Sequence, residues 1–236
     1  MSSDPRDHRL RCSIWVQEGP LSIIVDTGPD FRTQCLRSRV SRIDAVLFTH
    51  YHADHFFGLD DVRIYNRRQQ MEIPVYVPEW MLDRFRQVYN YTLDHRDDGI
   101  TRPRILLNPV DNHDIEFAGL TVQPVAVNHG NHDITGYLFR NDSFKVAYLT
   151  DCKSLPETTV ESVAGIDMVI LSALWQREWQ HPCHLNLSGA LELAERLGAG
   201  TTYFTHITHQ MGRHAETNAT LPASVRLAND GLVITA

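Results

Sequence analysis

Short apolar runs alternate with polar, periodic stretches along most of the chain. Residues 10–25 predict two short strands around the turn Glu18-Gly19-Pro20. Residues 30–40 predict a helix begun by Asp30 after Pro29, and residues 43–48 a buried strand. A helix over 59–68, a strand over 73–77 and an amphipathic helix over 79–90 follow, then a charged loop at 94–103 that is a candidate cover. Strands are expected at 114–117 and 120–127, split by Gly119, and a hairpin at 134–140 and 143–149 turns about Asn141-Asp142. Further on come a helix at 155–164, a buried strand at 168–171 and an irregular aromatic stretch at 175–182. Ser188 is placed as the cap of a helix over 189–197, with strands at 201–205 and 232–235 closing the chain. No repeat or linker interrupts the alternation, so the pattern predicts a single α/β domain over residues 1–236.

One exit stands out. The apolar run Ala45-Val46-Leu47-Phe48 is followed, after Thr49, by His50-Tyr51-His52-Ala53-Asp54-His55. An extended backbone sets His50 and His52 on one side, and the turn after them brings Asp54 and His55 to face them. Three imidazoles and a carboxylate in six positions would be costly to bury without a metal. Mixed nitrogen and oxygen donors of this kind suit zinc, manganese or iron rather than calcium or magnesium.

Other strand exits carry the same residue types: His129 after the strand at 120–127, Asp151 after the hairpin and His206 after 201–205. Together they can hold two divalent ions, His50, His52 and His129 on one, Asp54, His55 and His206 on the other, Asp151 bridging. Taken alone, His129 reads equally as a loop histidine and Asp151 as a capping residue. Asp26, in Asp26-Thr27-Gly28-Pro29-Asp30, either supports the site from behind the ligands or satisfies turn amides. Arg63, Arg67 and Arg68 read more simply as a solvated helix face than as a phosphate site.

Bulk properties narrow the function. A net charge of −7 argues against a broad grip on nucleic acid. Cys12, Cys35, Cys152 and Cys183 are scattered, with no C-x-x-C pair to mark a thiolate zinc site. The polar start offers no apolar core for a signal peptide, and no apolar run is long enough for a bilayer, so a cytoplasmic location is expected.

The motif and the order of the later ligand-type residues resemble the metallo-β-lactamase superfamily. That resemblance implies a four-layered αββα sandwich and a two-metal hydrolase. Within it, Asp26-Thr-Gly-Pro-Asp30, Asn128-His129 with Gly136-Tyr137, and Thr205-His206-Ile-Thr-His209-Gln210 are similar to the phosphoribosyl 1,2-cyclic phosphate phosphodiesterases of the carbon–phosphorus lyase pathway. The same resemblance singles out His184, before Leu185-Asn186-Leu187-Ser188, as a catalytic residue. Relatives begin with a glycine-rich strand and a cysteine cluster that holds a structural zinc with the second histidine of His-x-x-His. Here the chain starts at Met1 where that segment should have ended, so the usual first strand is expected to be missing and His209 to lack thiolate partners. Either the true start lies upstream or a neighbouring chain, as in a homodimer, covers the exposed edge.

The function these expectations imply is hydrolysis of a small cyclic sugar phosphodiester by two zinc or manganese ions. The ions would lower the pKa of a shared water and clamp the phosphate. Asp54 would hold the nucleophile, and His184 would donate a proton to the departing ribose oxygen or steady the phosphate. Three rivals remain: a transfer-RNA-trimming nuclease, a lactamase or thioester hydrolase, and a metal-binding accessory of cofactor biosynthesis that turns nothing over.

Overall fold

The computed structural model describes residues 2–93 and 99–235. The chain divides into two compact units, residues 11–113 and residues 1–10 with 114–236. Each contains one sheet and its own helices, the α/β class expected.

In the 11–113 unit a five-stranded sheet has the order β1-β2-β3-β4-β5. Its strands are β1 Ile14–Glu18, β2 Leu21–Val25, β3 Ala45–Leu47, β4 Ile73–Pro78 and β5 Ile105–Val110. The first pair is an antiparallel hairpin and the rest are parallel. All three residues of β3 are fully buried, so both faces of this central strand are covered, as parallel strands require. The connections are helical: α1 Phe31–Arg37, the single turn α2 Ala53–Phe56, α3 Arg63–Gln69 and α4 Leu82–Tyr89. Phe31, Phe56, Tyr65 and Phe85 of these helices pack with Val46 and Val75 in one core. Phe56 is also fastened by the Tyr89 hydroxyl, which donates to its carbonyl at 2.5 Å.

In the other unit seven strands take the order β12-β11-β10-β9-β8-β7-β6. They are β6 Ile115–Phe117, β7 Leu120–His129, β8 His132–Arg140, β9 Lys145–Leu149, β10 Met168–Ser172, β11 Thr201–Thr205 and β12 Val225–Leu227. The sheet is antiparallel from β6 to β9 and parallel from β9 to β12. Helices α5 Glu157–Val163 and α6 Leu187–Leu197 bury Val160, Val163, Ala190 and Leu197 against Val169 and Phe204. The short α7 His214–Asn218 precedes β12. The N-terminal residues belong to this unit: Asp7 accepts the His214 amide (2.6 Å) and Arg9 donates to His214 Nδ1 (3.0 Å).

Several expectations need correction. The last strand is β12, and residues 232–235 have no strand structure. The cap of α6 is Asn186, whose Oδ1 accepts the Gly189 amide at 3.0 Å, while the Ser188 hydroxyl donates to that same oxygen. Asp30 stands before α1 without capping it, because its carboxylate takes the Arg11 amide at 2.9 Å instead. Strand β5 was not anticipated: Asn108 and Pro109 break its apolar run, which an edge strand tolerates. Of the expected cover at 94–103, residues 94–98 lie outside the described residues. Among the described residues no helix is long and apolar enough to cross a membrane.

Candidate metal centre

Every ligand-type residue anticipated stands at the exit of a strand, where α/β sheets keep their sites. In the 11–113 unit, β3 ends and the next residues deliver His50, His52, Asp54 and His55, the last two on the single turn α2. The His50 ring lies 4.6 Å from that of His52 and 4.4 Å from that of His55, and His55 Nε2 is 3.6 Å from Asp54 Oδ2. His50 and His55 are buried, whereas His52 is exposed.

Asp26 decides how these rings are presented. Fully buried at the end of β2, it accepts the Thr49 amide at Oδ1 (2.8 Å) and, at Oδ2, the Thr49 hydroxyl (2.8 Å) and His55 Nδ1 (2.8 Å). With its hydroxyl hydrogen given to Asp26, Thr49 Oγ1 accepts from His50 Nδ1 at 2.9 Å. One carboxylate thus fixes two imidazoles, one directly and one through a hydroxyl, and both keep the lone pair on Nε2. This is the arrangement of metal-binding histidines. Burial pushes the Asp26 carboxyl above its ordinary pKa, against the pull of His55 and Thr49. A cation beside His55 would offset the cost of that buried charge.

Two glycines allow the turn to close. A Cβ on Gly28 would sit 2.1 Å from the Asp54 carbonyl oxygen, and one on Gly58 would sit 2.1 Å from the carbonyl oxygen of Gly28. The loop after β2 and the motif turn are therefore in backbone contact.

In the other unit the ligand-type residues come from separate connections. Asp151, His184 and His206 offer donor atoms within 4.8 Å of one another. His206 Nε2 is 3.3 Å from Asp151 Oδ1, and its ring stacks on that of His184 (5.0 Å, 13°). His129 meets His184 edge-on at 4.8 Å. His129 Nδ1 donates to the carbonyls of Asp151 (2.7 Å) and Cys183 (3.0 Å), so its lone pair is also on Nε2. His184 is pinned by its neighbours: Cys183 through that bond, and Leu185 by bonds to Cys152 O and from Leu174 N, each 2.9 Å. Burial pulls the His184 pKa down to about 3, with Asp151 opposing, and its Nδ1 is buried without a hydrogen-bond partner.

Among the described residues, three of the five non-glycine residues with positive φ lie at these exits, the other two being Arg39 and Gln70. Asp26 (φ 63°), Asp151 (φ 52°) and His206 (φ 52°) adopt left-handed conformations immediately after β2, just after β9 and after β11. Each costs a side-chain-bearing residue about 1–3 kcal/mol, and such strain gathers where function holds it. Buried carboxylates, imidazoles with directed lone pairs and strained exits suit divalent-metal binding. Within their own units, then, all the anticipated residues meet. Thr49, which orients His50, was not anticipated, although its place beside the first histidine was a signal. His209 is exposed in a short 3-10 turn and belongs to no ligand-type group among the described residues.

A family model described as a beta-lactamase superfamily domain matches residues 22–207. The chain belongs to the β-lactamase superfamily. Among superfamily structures, the chain is similar to a diphosphatase of the PhnP family, with 40% identity, a TM-score of 0.87, and coverage of 98% of this chain and 85% of that one. It is 30% identical over 232 residues to an octanoyltransferase of Porphyromonas gingivalis, covering 98% of this chain but 46% of that protein, so it spans about half of that relative's length. It is 25% identical to a ribonuclease Z of Mycobacterium bovis over 238 residues, 88% of this chain and 83% of that protein. Superfamily membership and the histidine–aspartate clusters place the chain in the class of metal-dependent hydrolases.

Proposed function

We propose that the chain is a binuclear phosphodiesterase acting on a small cyclic sugar phosphodiester such as phosphoribosyl 1,2-cyclic phosphate, and that its two units form one hydrolase domain. His50, His52 and His129 would hold one divalent ion, Asp54, His55 and His206 a second, with Asp151 shared. The observation that carries this reading is the common presentation of the rings: His50 and His55 are fixed through Asp26, and His129 by two carbonyls, each with Nε2 as the donor. Similarity at 40% identity to a PhnP-family diphosphatase supports phosphorus as the reacting centre.

When bound, the ions supply Lewis acidity and bring the pKa of water towards neutrality. The protein's own groups do the rest. Asp26 and Thr49 hold the imidazoles against rotation, which lowers the reorganisation needed at reaction. Asp54 would hold the attacking water by a hydrogen bond to its carboxylate. As the new P–O bond forms and the bond to the leaving oxygen breaks, that oxygen takes up a proton. His184 Nδ1 is buried and without a protein partner. With its pKa held down the ring is neutral near pH 7, so it would steady a phosphate oxygen as an N–H donor, and would deliver the proton only once the charge of a bound phosphate had raised its pKa.

The resemblance to ribonuclease Z favours a second reading, cleavage of RNA. A panel with zinc, with manganese and with no metal separates them. Ribose 1,2-cyclic phosphate and bis-p-nitrophenyl phosphate should be hydrolysed, with little loss between low and moderate salt. Steeply salt-dependent cleavage of a transfer RNA precursor would favour the nuclease. An octanoyl thioester serves as the acyl-transfer arm. Two bound ions with no turnover of any ester would leave the accessory-protein reading standing and this one refuted.

A further inference from the structure

The loop at 175–183, between β10 and α6, carries an aromatic cluster that hydrolysis does not require. Trp175 and Trp179 stack with centroids 5.3 Å apart and planes 29° apart. Trp179 is 59% exposed, although few side chains gain more from burial. The loop is nonetheless fastened. Trp175 Nε1 donates to Trp179 O (3.2 Å), Lys153 Nζ donates to His181 O (2.8 Å), and the buried Asn186 donates to Arg177 O (2.9 Å). An indole held out to solvent in a fixed orientation has already met much of the ordering cost of binding. Its position relative to the histidines is defined within one unit. His181 lies edge-on to Trp179 at 5.7 Å and 4.9 Å from His184, which stacks on His206. A line of rings therefore runs from solvent to the Asp151–His184–His206 cluster.

We propose that Trp179, backed by Trp175, is a stacking platform for a nucleobase, so that the phosphodiester opened at the histidines belongs to a nucleotide. This rests on the phosphodiesterase reading above and departs from its example, since C1 of a ribose 1,2-cyclic phosphate is bonded to phosphate and carries no base. A phosphate held at His184 would have its ribose and base running outward along the line of rings. Stacking on an indole face accepts every base, so the platform reads the presence of a base rather than its identity. The base can come from a free cyclic nucleotide or from an RNA end, which share this chemistry.

The test uses the metal-loaded full chain, with W179Q to remove the ring and W179F to restore one. Substrates are adenosine 2′,3′-cyclic phosphate, the base-free ribose 1,2-cyclic phosphate and a short single-stranded RNA. Quenching of tryptophan fluorescence by adenosine monophosphate reports binding without hydrolysis. In W179Q the KM for the cyclic nucleotide, relative to that for the base-free ester, should rise about tenfold with little change in the kcat ratio. W179F should recover most of it, and quenching should weaken by a similar factor in W179Q. Equal change on both esters, or undiminished affinity for adenosine monophosphate in W179Q, overturns the proposal. Trp179-dependent quenching without hydrolysis of either ester keeps the platform and refutes the phosphodiesterase. Whichever of RNA and mononucleotide shows the larger Trp179 dependence identifies the source. Because position 179 faces solvent, W179Q should melt near the parent, and a W179Q protein that fails to fold shows Trp179 to be structural and refutes the platform.

Discussion

The ligand-type residues of the two units are assembled in opposite ways. In the 11–113 unit four of them lie on six consecutive positions, and the supporting carboxylate, Asp26, comes from the neighbouring strand β2. In the other unit His129, Asp151, His184 and His206 come from four separate connections, held mainly by backbone carbonyls and by strained φ angles at Asp151 and His206. A cluster made locally depends on one turn and one carboxylate. A cluster gathered from distant connections depends on the sheet that aligns their exits.

The largest expected effect treats the two clusters alike. H55A and D151A should each lower bound metal by roughly one equivalent and reduce turnover to background, as read by elemental analysis beside the phosphodiesterase assay. Full metal occupancy in either variant would remove that residue from the ligand set.

H184A should next distinguish a reacting group from a ligand. With metal content retained, the rate should drop about 10²- to 10⁴-fold. If metal is lost as well, the Asp151–His184–His206 group is itself an ion site and His184 changes role.

D26N tests the dependence of the local cluster on one carboxylate. An amide cannot accept from Thr49 and His55 in the same way, so metal affinity should fall about 10- to 100-fold, measured by chelator competition. For His129 in the other cluster the acceptors are main-chain carbonyls of Asp151 and Cys183, which a side-chain substitution leaves in place.

G28A should act through packing. Its Cβ would meet the Asp54 carbonyl oxygen at 2.1 Å, and relieving that clash should cost about 1–3 kcal/mol. Thermal melting should then drop by about 2–4 °C for each kcal/mol, with weaker metal binding because Asp54 moves.

The smallest effect lies away from both clusters. Burial, with Arg9 and Arg6, depresses the His214 pKa below its ordinary 6.5, while Asp4 and Asp7 pull the other way. Nδ1 faces the Arg9 guanidinium and must stay unprotonated for that bond. The depressed pKa means that His214 contributes fully above pH 6.5, where folded and unfolded chains are both neutral, and that stability falls as pH drops below it. Denaturant titrations across that range should show a shallower slope for H214Q.

Much of the first cluster was legible because its signal is one of spacing. His-x-His-x-Asp-His after an apolar strand needs no knowledge of the rest of the chain. His129, Asp151 and His206 were visible as strand-exit residues, yet each alone also read as an ordinary loop or cap. Asp26 stood open between two roles, and its three accepted hydrogen bonds decide for support of the histidines. Errors fell where local chemistry offers two equal choices. Asn186 and Ser188 can both cap a helix, and the one whose oxygen reaches the Gly189 amide is set by how residues 185–187 are pinned to Leu174, Trp175 and Cys152. Strand β5 was missed because Asn108 and Pro109 lower its strand propensity, and β4 stabilises it through a shared ladder.

By itself the amino-acid order determined the alternation of strands and helices, the family, and the residue types waiting at the strand exits, because periodicity and spacing are local properties. Tertiary structure decided which nitrogen of His50, His55 and His129 carries the lone pair, which carboxylate stands behind two of the rings, and that an indole is held in solvent on a line of rings ending at His206. Those outcomes turn on contacts between residues far apart along the chain, Asp26 with His55, His129 with Asp151 and Cys183, and His184 with His206, which no local pattern encodes.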